Sequence, residues 1–235
     1  MDASRLFVAL DTDSADEALS IVYELSGIVF SFKVGSALFT LAGRDIVETL
    51  VSNGLNVFLD LKFHDIPSVI AKASVNLSRM GVRLMTLHTL GGLEMMRAAA
   101  QAVNANWDGK PHKPLLFGVT LLTSLDQRAL SEELACRRSH EEQVIHLAGL
   151  AREAGLDGVV ASGRELEALK REFGTELKVL VPGIRPAGGK DDQKRTITPA
   201  RAVEMGADYL VVGRPITRAQ DRRAAAEAII AEMLG

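Results

Sequence analysis

The sequence predicts an α/β protein that folds as a single (β/α)8 TIM barrel, with residues 1–235 forming one domain. Eight short apolar runs recur along the chain, and segments with helical spacing separate them without a linker or low-complexity stretch. Strands that are apolar on both faces and joined by helices favour a parallel sheet covered on both sides. Eight such units in 235 residues agree with the usual barrel length of roughly 250 residues.

Each predicted strand is a short apolar or β-branched run. The runs cover residues 6–11, 31–35, 57–62, 84–89, 115–123, 158–162, 178–184 and 209–214. An open doubly wound sheet is the alternative architecture, and it would often carry a GxGxxG motif after its first strand. Here the first strand runs into Asp11-Thr-Asp-Ser instead, which favours the closed barrel.

The segments between the strands carry the start and stop signals of helices. A serine followed three residues later by a glutamate forms a capping box, and a threonine before a proline marks a helix start. Apolar residues recur with the helical period, as at Ile70, Ala73, Leu77 and Met80. The capping pairs are Ser14 with Glu17, Ser139 with Glu142 and Ser162 with Glu165; Thr198 precedes Pro199, and Gly54, Gly81, Gly155 and Gly206 end helices.

The composition excludes several classes of function. There are 27 Lys and Arg against 30 Asp and Glu, so a formal net charge of −3 offers no positive field for nucleic acid or an anionic membrane. Cys136 is the only cysteine, which excludes an internal disulfide and a cysteine zinc cluster and is typical of a reducing compartment. The apolar run at residues 6–10 is too short for a signal peptide, and no run reaches membrane-spanning length. We expect a soluble, cytoplasmic protein that binds neither nucleic acid nor membrane.

Charged residues stand at the ends of the first three predicted strands. Asp11 ends the first, Lys33 lies within the second, and Asp60, Lys62 and Asp65 end the third. Asp60 and Lys62 are two residues apart and therefore face the same side of a strand. A single internal salt bridge is the simpler interpretation, but Lys33 adds a second cation, and all these groups fall where barrels carry their active sites. A lysine held among carboxylates stays protonated, which makes it a proton donor.

A second group of residues follows the seventh and eighth strands, where barrels often bind phosphate. The segments are Gly183-Ile-Arg185-Pro186 and Gly213-Arg214-Pro215. Each combines a turn whose backbone can approach a ligand with a guanidinium that can bind phosphate in a bidentate manner. Two turns with solvated arginines are the alternative. The pair predicts a phosphate monoester, because no Lys-Ser/Thr stands where a P-loop requires it.

The histidines do not indicate a metal site. His140 and His146 are six residues apart and fall on different faces of a helix, and no HExxH motif occurs. His64, beside Asp65, is interpreted as a packing or hydrogen-bonding residue. His88 ends the fourth strand, where contact with a ligand or simple packing are both open.

The motif Asp60-Leu-Lys62-Phe-His-Asp65-Ile-Pro67 closely resembles the signature of the orotidine 5′-phosphate decarboxylase family, in its bacterial form. The resemblance runs along the whole chain. It includes FVALD ending at Asp11, FKVG around Lys33, Thr120-Leu-Leu-Thr123-Ser124, Gly183-Ile-Arg185-Pro186, Asp192-Gln193-Lys-Arg195 and Val211-Val-Gly213-Arg214-Pro215.

The resemblance implies a cofactor-free and metal-free decarboxylation of orotidine 5′-phosphate to UMP, the last step of UMP synthesis. It implies that Lys62 donates the proton to C6, that Asp60 lies against the departing carboxylate, and that Lys33 holds the charged array. It also implies a homodimer in which Asp65 reaches the neighbouring subunit's site. The substrate-binding residues that it implies are Asp11, Lys33, Asp60, Ile66, Ser68, Val69, Thr123, Ser124, Arg185, Gln193, Gly213 and Arg214.

The chain departs from the family pattern at two places. Ser68-Val69 stands where Asn-Thr is common, so one hydrogen bond to ribose from the neighbouring subunit is expected to be lost or replaced by Ser68. The loop between Arg185 and Gln193 is one residue shorter. Two other functions stay open: the Mg²⁺-dependent keto-gulonate 6-phosphate decarboxylase and hexulose 6-phosphate synthase group, which shares the D-x-K-x-x-D strand, and a catalytically silent barrel that binds nucleotides.

Overall fold

The predicted barrel is confirmed. A computed structural model describes residues 3–107, 113–186 and 196–235. Within these ranges, parallel strands close into a barrel in sequence order, from β1 to β8 and back to β1. Closure is direct, because Leu6 of the first strand pairs with Leu210 of the last. The strands are β1 Leu6–Ala9, β2 Ser31–Gly35, β3 Asn56–Phe63, β4 Leu84–His88, β5 Leu115–Val119, β6 Gly158–Val160, β7 Lys178–Val181 and β8 Tyr209–Val212.

Helices connect the strands and cover the outside of the barrel. They are α1 Ala15–Glu24, α2 Ser36–Ser52, α3 Pro67–Arg79, α4 Gly92–Ala105, α5 His140–Glu153, α6 Leu166–Phe173, α7 Pro199–Glu204, α8 Arg214–Thr217 and α9 Arg222–Leu234. Short 3-10 helices cover Ala3–Arg5 and Thr89–Gly91, and a π-helical turn covers Ala129–Glu133. None of the helices in the described ranges is both long and apolar enough to cross a membrane.

Most of the predicted helix signals are confirmed, and one is wrong. Ser139 and Glu142 form the complete capping box of α5, and Ser14 and Thr198 accept backbone N–H bonds at the starts of α1 and α7. The predicted box at Ser162 does not start a helix, because α6 begins only at Leu166. The reason is that the Glu165 carboxylate is buried and occupied by the Ser162 hydroxyl and by His140 Nδ1 at 3.3 Å.

Aromatic side chains fill the inside of the barrel. Phe7 and Phe58 meet edge to face with ring centroids 5.5 Å apart, and Tyr209 packs against both Phe7 and Phe117. These rings join Leu180 and Val211 in one buried cluster. A larger apolar core lies between the strands and the surrounding helices. The inside of the barrel is therefore packed, and ligands are confined to its ends.

Candidate active site

Four of the predicted charged residues meet at the carboxyl end of the barrel. Lys33 Nζ lies 2.8 Å from Asp11 Oδ1 and 3.8 Å from Asp60 Oδ2. Lys62 Nζ lies 2.8 Å from the same Asp60 oxygen. The four side chains thus form a continuous array in which Asp60 stands between two ammonium groups.

The centre of this array is withdrawn from water. The Lys33 and Asp60 side chains are only 10% and 13% exposed, whereas the Lys62 side chain is 36% exposed. Buried charges cost free energy unless each is paired and hydrogen-bonded. Asp60 satisfies this condition, because its second oxygen accepts the Thr86 hydroxyl at 2.9 Å. Removal of Asp60 would take an anionic partner from both lysines at once.

A glycine provides the space for the ion pair between Lys33 and Asp11. A Cβ atom on Gly35 would lie 2.9 Å from Lys33 Nζ and 3.0 Å from Asp11 Oδ1. A side chain there would therefore push the ammonium group away from its partners. The FKVG sequence of β2 supplies both the lysine and the space that it needs.

Strand β3 is irregular where it carries Lys62. Asp60 and Lys62 do meet, as predicted, but Lys62 has a φ of 49°, and the pairing register with β4 shifts between Leu59 and Phe63. The Lys62 N–H donates to Thr86 Oγ1 at 3.0 Å, and the same hydroxyl donates to Asp60. Sequence reasoning missed Thr86. Its only signal is that it lies two residues before His88 and so shares a face of β4 with that residue.

The predicted phosphate segments line a cavity of about 260 Å³ beside the charged array. Arg185, Gly213 and Arg214 belong to its wall, and so do Asp11 and Lys33. The Arg185 side chain is buried and held by the Ile184 carbonyl oxygen, which accepts from Nη1 at 2.8 Å. The sequence did not single out two further wall residues, Thr217 and Arg218, which follow from the turn after β8.

A second cavity of about 260 Å³ adjoins the first. Asp60, Lys62 and Thr123 line it, together with apolar side chains such as Leu121 and Val160. Asp11 and Lys33 line both cavities, so the two form one cleft. Together they reach the range of roughly 300–1,000 Å³ that is usual for small-molecule sites. Ser124 is exposed and lies outside both walls.

The residues that follow β3 lie in a different environment from the charged array. Asp65, Ile66, Ser68 and Val69 are all exposed, with Ile66 at 62% and Val69 at 43%. Asp65 Oδ1 accepts the Ile66 N–H at 2.6 Å, and among the described residues the carboxylate forms no ion pair. These four residues are therefore not part of the cleft of their own chain. Gln193 lies outside the described residues.

His88 lies half-buried at the end of β4, close to the charged array. Its pKa is lowered from 6.5, first by burial and then by the nearby His64 and Lys62. Both effects disfavour the charged imidazolium.

Within the described ranges, no group of three or more His, Cys, Asp or Glu side chains is placed to hold a metal ion.

A closed (β/α)8 barrel with paired charges and an arginine-lined cavity at one end defines a barrel enzyme for phosphorylated small molecules. The chain belongs to the Orotidine 5′-phosphate decarboxylase / HUMPS family, which matches residues 4–229. It is 47% identical to orotidine 5′-phosphate decarboxylase of Nitrosococcus oceani over 99% of both chains. It is 48% identical to that of Moorella thermoacetica, over 97% of this chain and 92% of the relative. The crystal structure of the Lactobacillus acidophilus orotidine 5′-phosphate decarboxylase superposes with a TM-score of 0.89 at 38% identity, covering 99% of this chain and 100% of that one.

Proposed function

We propose that this chain converts orotidine 5′-phosphate to UMP and CO₂, the last step of UMP synthesis, as a single-domain cytoplasmic enzyme. The observation that carries the proposal is the array from Asp11 through Lys33 and Asp60 to Lys62, placed in a cleft with an arginine-lined end. Near-full-length relatives named as this enzyme support it.

The cleft offers a separate place for each part of the nucleotide. The arginine-lined cavity at Arg185, Gly213 and Arg214 suits the phosphate. The more apolar cavity at Thr123 suits the pyrimidine, with Lys62 and Asp60 at its charged side. Asp11 and Lys33 line both cavities, so the ribose that links phosphate and base would lie against them.

The chemistry requires a fixed cation and a proton. When the bond from C6 to the carboxylate breaks, CO₂ departs and the electron pair stays on C6 in the ring plane, where the π system cannot accept it. Lys62 stabilises this developing charge electrostatically and then transfers a proton from Nζ to C6. Its side chain is partly exposed, so solvent can return the proton after turnover. The step needs no cofactor as electron sink.

Asp60 has two roles in this mechanism. Its oxygens accept from Lys62 and from Thr86, which fixes the ammonium group before substrate arrives. Its charge would also lie against the substrate carboxylate and favour departure of that carboxylate. Lys33, paired with both Asp11 and Asp60, keeps the array compensated.

The proposal includes a homodimer in which Asp65 completes the neighbouring subunit's site. Two observations support it: Asp65 forms no ion pair with the described residues of its own chain, and the apolar side chains of Ile66 and Val69, which follow it, are exposed. The Lys62→Ala and Asp65→Ala proteins should each be inactive, and mixing them should restore part of the activity, since one hybrid site carries neither change. Demonstrated subunit exchange without recovery would contradict the shared site.

The activity is tested by mixing the protein with orotidine 5′-phosphate in EDTA and following the pyrimidine absorbance. Stoichiometric UMP formation is expected. No turnover of orotidine 5′-phosphate, together with Mg²⁺-dependent turnover of a keto-sugar phosphate, would instead favour the metal-dependent sugar-phosphate branch. Binding of UMP without turnover would favour a silent nucleotide-binding barrel.

A further inference from the structure

Strand β4 contacts the end of β3 on both sides of Lys62. Thr86 bonds to the Lys62 N–H and to Asp60, while the His88 ring stacks on the ring of His64, two residues beyond Lys62. Thr86 and His88 are themselves two residues apart and therefore project from the same face of β4. One face of β4 thus contacts the Lys62 N–H and the side chains of Asp60 and His64, which precede and follow the proposed proton donor.

The contact matters because Lys62 adopts a conformation that its sequence does not favour. Its φ of 49° lies in the left-handed region, where the Cβ atom of an L residue crowds the following carbonyl oxygen. Such a residue keeps this conformation only when its surroundings hold it there. A change of Lys62 to an ordinary strand conformation would keep its side chain on the face of Asp60 but would shift Nζ from its present position 2.8 Å from Asp60 Oδ2.

Hydrogen bonds at the end of β4 hold the ring of His88 in place against the ring of His64. The two rings lie 5.6 Å apart between centroids at an angle of 26°, and His88 Nδ1 accepts the Leu90 N–H at 3.4 Å. The next residue, Thr89, is buried and donates its hydroxyl to the Val119 carbonyl of β5 at 2.8 Å. These bonds tie the end of β4 to the barrel.

The turn at Gly91 packs closely against two side chains. A Cβ atom on Gly91 would clash with the Met95 side chain and would also lie 3.2 Å from His64 Cδ2. The 3-10 turn at Thr89–Gly91 therefore leaves space first for Met95 and then for the edge of the His64 ring.

We propose that Thr86 and His88 are positioning residues that hold Lys62 in its left-handed conformation, Thr86 by hydrogen bonds and His88 through His64. The inference rests on the proposed function, in which Lys62 is the proton donor. Neither residue lines the described cleft, so both act through Lys62 and not by contact with substrate.

The histidine contact works only while His88 is neutral. Protonation of Nδ1 would end its acceptance of the Leu90 N–H, and the new charge would face the two groups that act on it, His64 and Lys62, both at the end of β3. Its lowered pKa keeps the imidazole neutral to lower pH than an unperturbed histidine.

The hydrogen-bond half of the proposal is tested with Thr86→Val, which keeps the shape but removes the hydroxyl, and with Thr86→Ser, which keeps the hydroxyl. We expect kcat of the valine variant to fall by about 10- to 100-fold, as small misplacements of a reacting group do, with KM nearly unchanged. The serine variant should retain most of the activity. A loss confined to KM, or equal kcat for wild type and Thr86→Val, would overturn this half.

The histidine half is tested by the pH dependence of kcat at saturating substrate. Because the pKa of His88 is lowered, wild type should lose kcat only at a pH well under the ordinary histidine value of 6.5. His88→Asn, which keeps an acceptor for the Leu90 N–H but cannot titrate or stack, should start lower and lack this acidic decline. His146→Asn, at an exposed histidine of α5, is the control and should follow wild type. An unchanged pH profile in His88→Asn would overturn the role of His88.

A crystal structure of Thr86→Val separates this inference from the proposed function. Lys62 should leave the left-handed region in the variant, whether or not the wild-type chain decarboxylates orotidine 5′-phosphate. Retention of the positive φ would overturn the inference. Failure of wild-type turnover would overturn the proposed function alone.

Discussion

Charged side chains at the two ends of the barrel differ in burial and in pairing. At the carboxyl end, Lys33 and Asp60 are buried and form ion pairs with each other and with further charged groups. At the amino end, a cavity of about 420 Å³ is lined by Arg5, Arg83 and Tyr209. Across the described ranges, no carboxylate forms an ion pair with either of these arginines, and Arg5 is exposed. The packed rings of Phe7 and Phe58 lie inside the barrel between the ends.

The difference shows at which end of the barrel the burial of charged side chains costs free energy. Guanidinium groups at the open amino end remain hydrated and need no partner to be tolerated. The buried charges at the carboxyl end lose hydration, and they are stable only as a complete array. Apolar side chains could replace these buried charges at a lower cost in free energy. The charges are therefore expected where the chemistry requires them in fixed positions. The comparison predicts that matched substitutions at the two ends will have very different consequences.

The largest effect is expected for Lys62→Ala. Loss of the proton donor and of the fixed cation should lower kcat by at least about 10³-fold, because both general-acid and electrostatic stabilisation disappear. Binding of UMP should persist, since Arg185 and Arg214 are untouched. Arg83→Ala at the amino end is the control, and its kcat should stay close to that of wild type. Steady-state kinetics and UMP titration measure both; near-normal turnover of Lys62→Ala would remove its proposed role.

Asp60→Asn should have the next largest effect, on both activity and stability. The amide keeps the shape but leaves Lys33 and Lys62 without their shared negative partner. We expect a loss of roughly 3 kcal/mol in the free energy of unfolding, the lower end for breaking a buried pair, because Lys62 stays partly hydrated. Urea denaturation checks this value against Arg83→Gln, which should change stability by less than about 0.5 kcal/mol. Equal stability of the two variants would contradict the contrast between the ends.

Gly35→Ala sharpens the comparison with a single added methyl group. The new Cβ would stand 2.9 Å from Lys33 Nζ, so the ammonium must shift and kcat should fall by about 10-fold. Gly149→Ala is the matched control, since its Cβ would have only the Phe173 ring atom at 4.0 Å as a neighbour. That helical position should gain roughly 0.5–1 kcal/mol of stability without loss of activity. The contrary result would be full activity in Gly35→Ala.

The smallest effect is a pH dependence of stability from His88. Its pKa is lowered in the folded state, so the unfolded chain binds more protons as the pH falls below 6.5. The contribution of this residue to the free energy of unfolding is therefore complete above that pH and declines below it. Comparing thermal unfolding of wild type and His88→Asn between about pH 7 and 5 isolates it. A parallel dependence in both proteins would assign the decline to other groups.

The sequence predicted the barrel and the charged array because both depend on local patterns. Alternating apolar runs and helices lead to a parallel barrel, and charges at consecutive strand ends must then meet at one mouth. The bulge at Lys62 was not predictable, since nothing in the sequence marks a lysine with a positive φ. Thr86 was missed for the same reason, because its hydroxyl has a role only once β3 departs from regular pairing.

The error at Ser162 has a related cause. The pattern of serine and glutamate three residues apart was the same as at Ser139, where a complete capping box forms. At Ser162 the glutamate is buried, and its carboxylate is also held by His140 from α5. The Ser162 hydroxyl still bonds to this carboxylate, but His140 adds a tertiary contact that local spacing does not reveal.

The most direct test of the central claim is the reaction of the wild-type protein with orotidine 5′-phosphate in D₂O containing EDTA, followed by proton NMR. The Lys62 ammonium exchanges with solvent, so UMP should form in an amount equal to the substrate consumed and should carry deuterium at C6. Substrate that remains unchanged, or UMP that carries hydrogen at C6, would contradict proton donation by Lys62 in a decarboxylase.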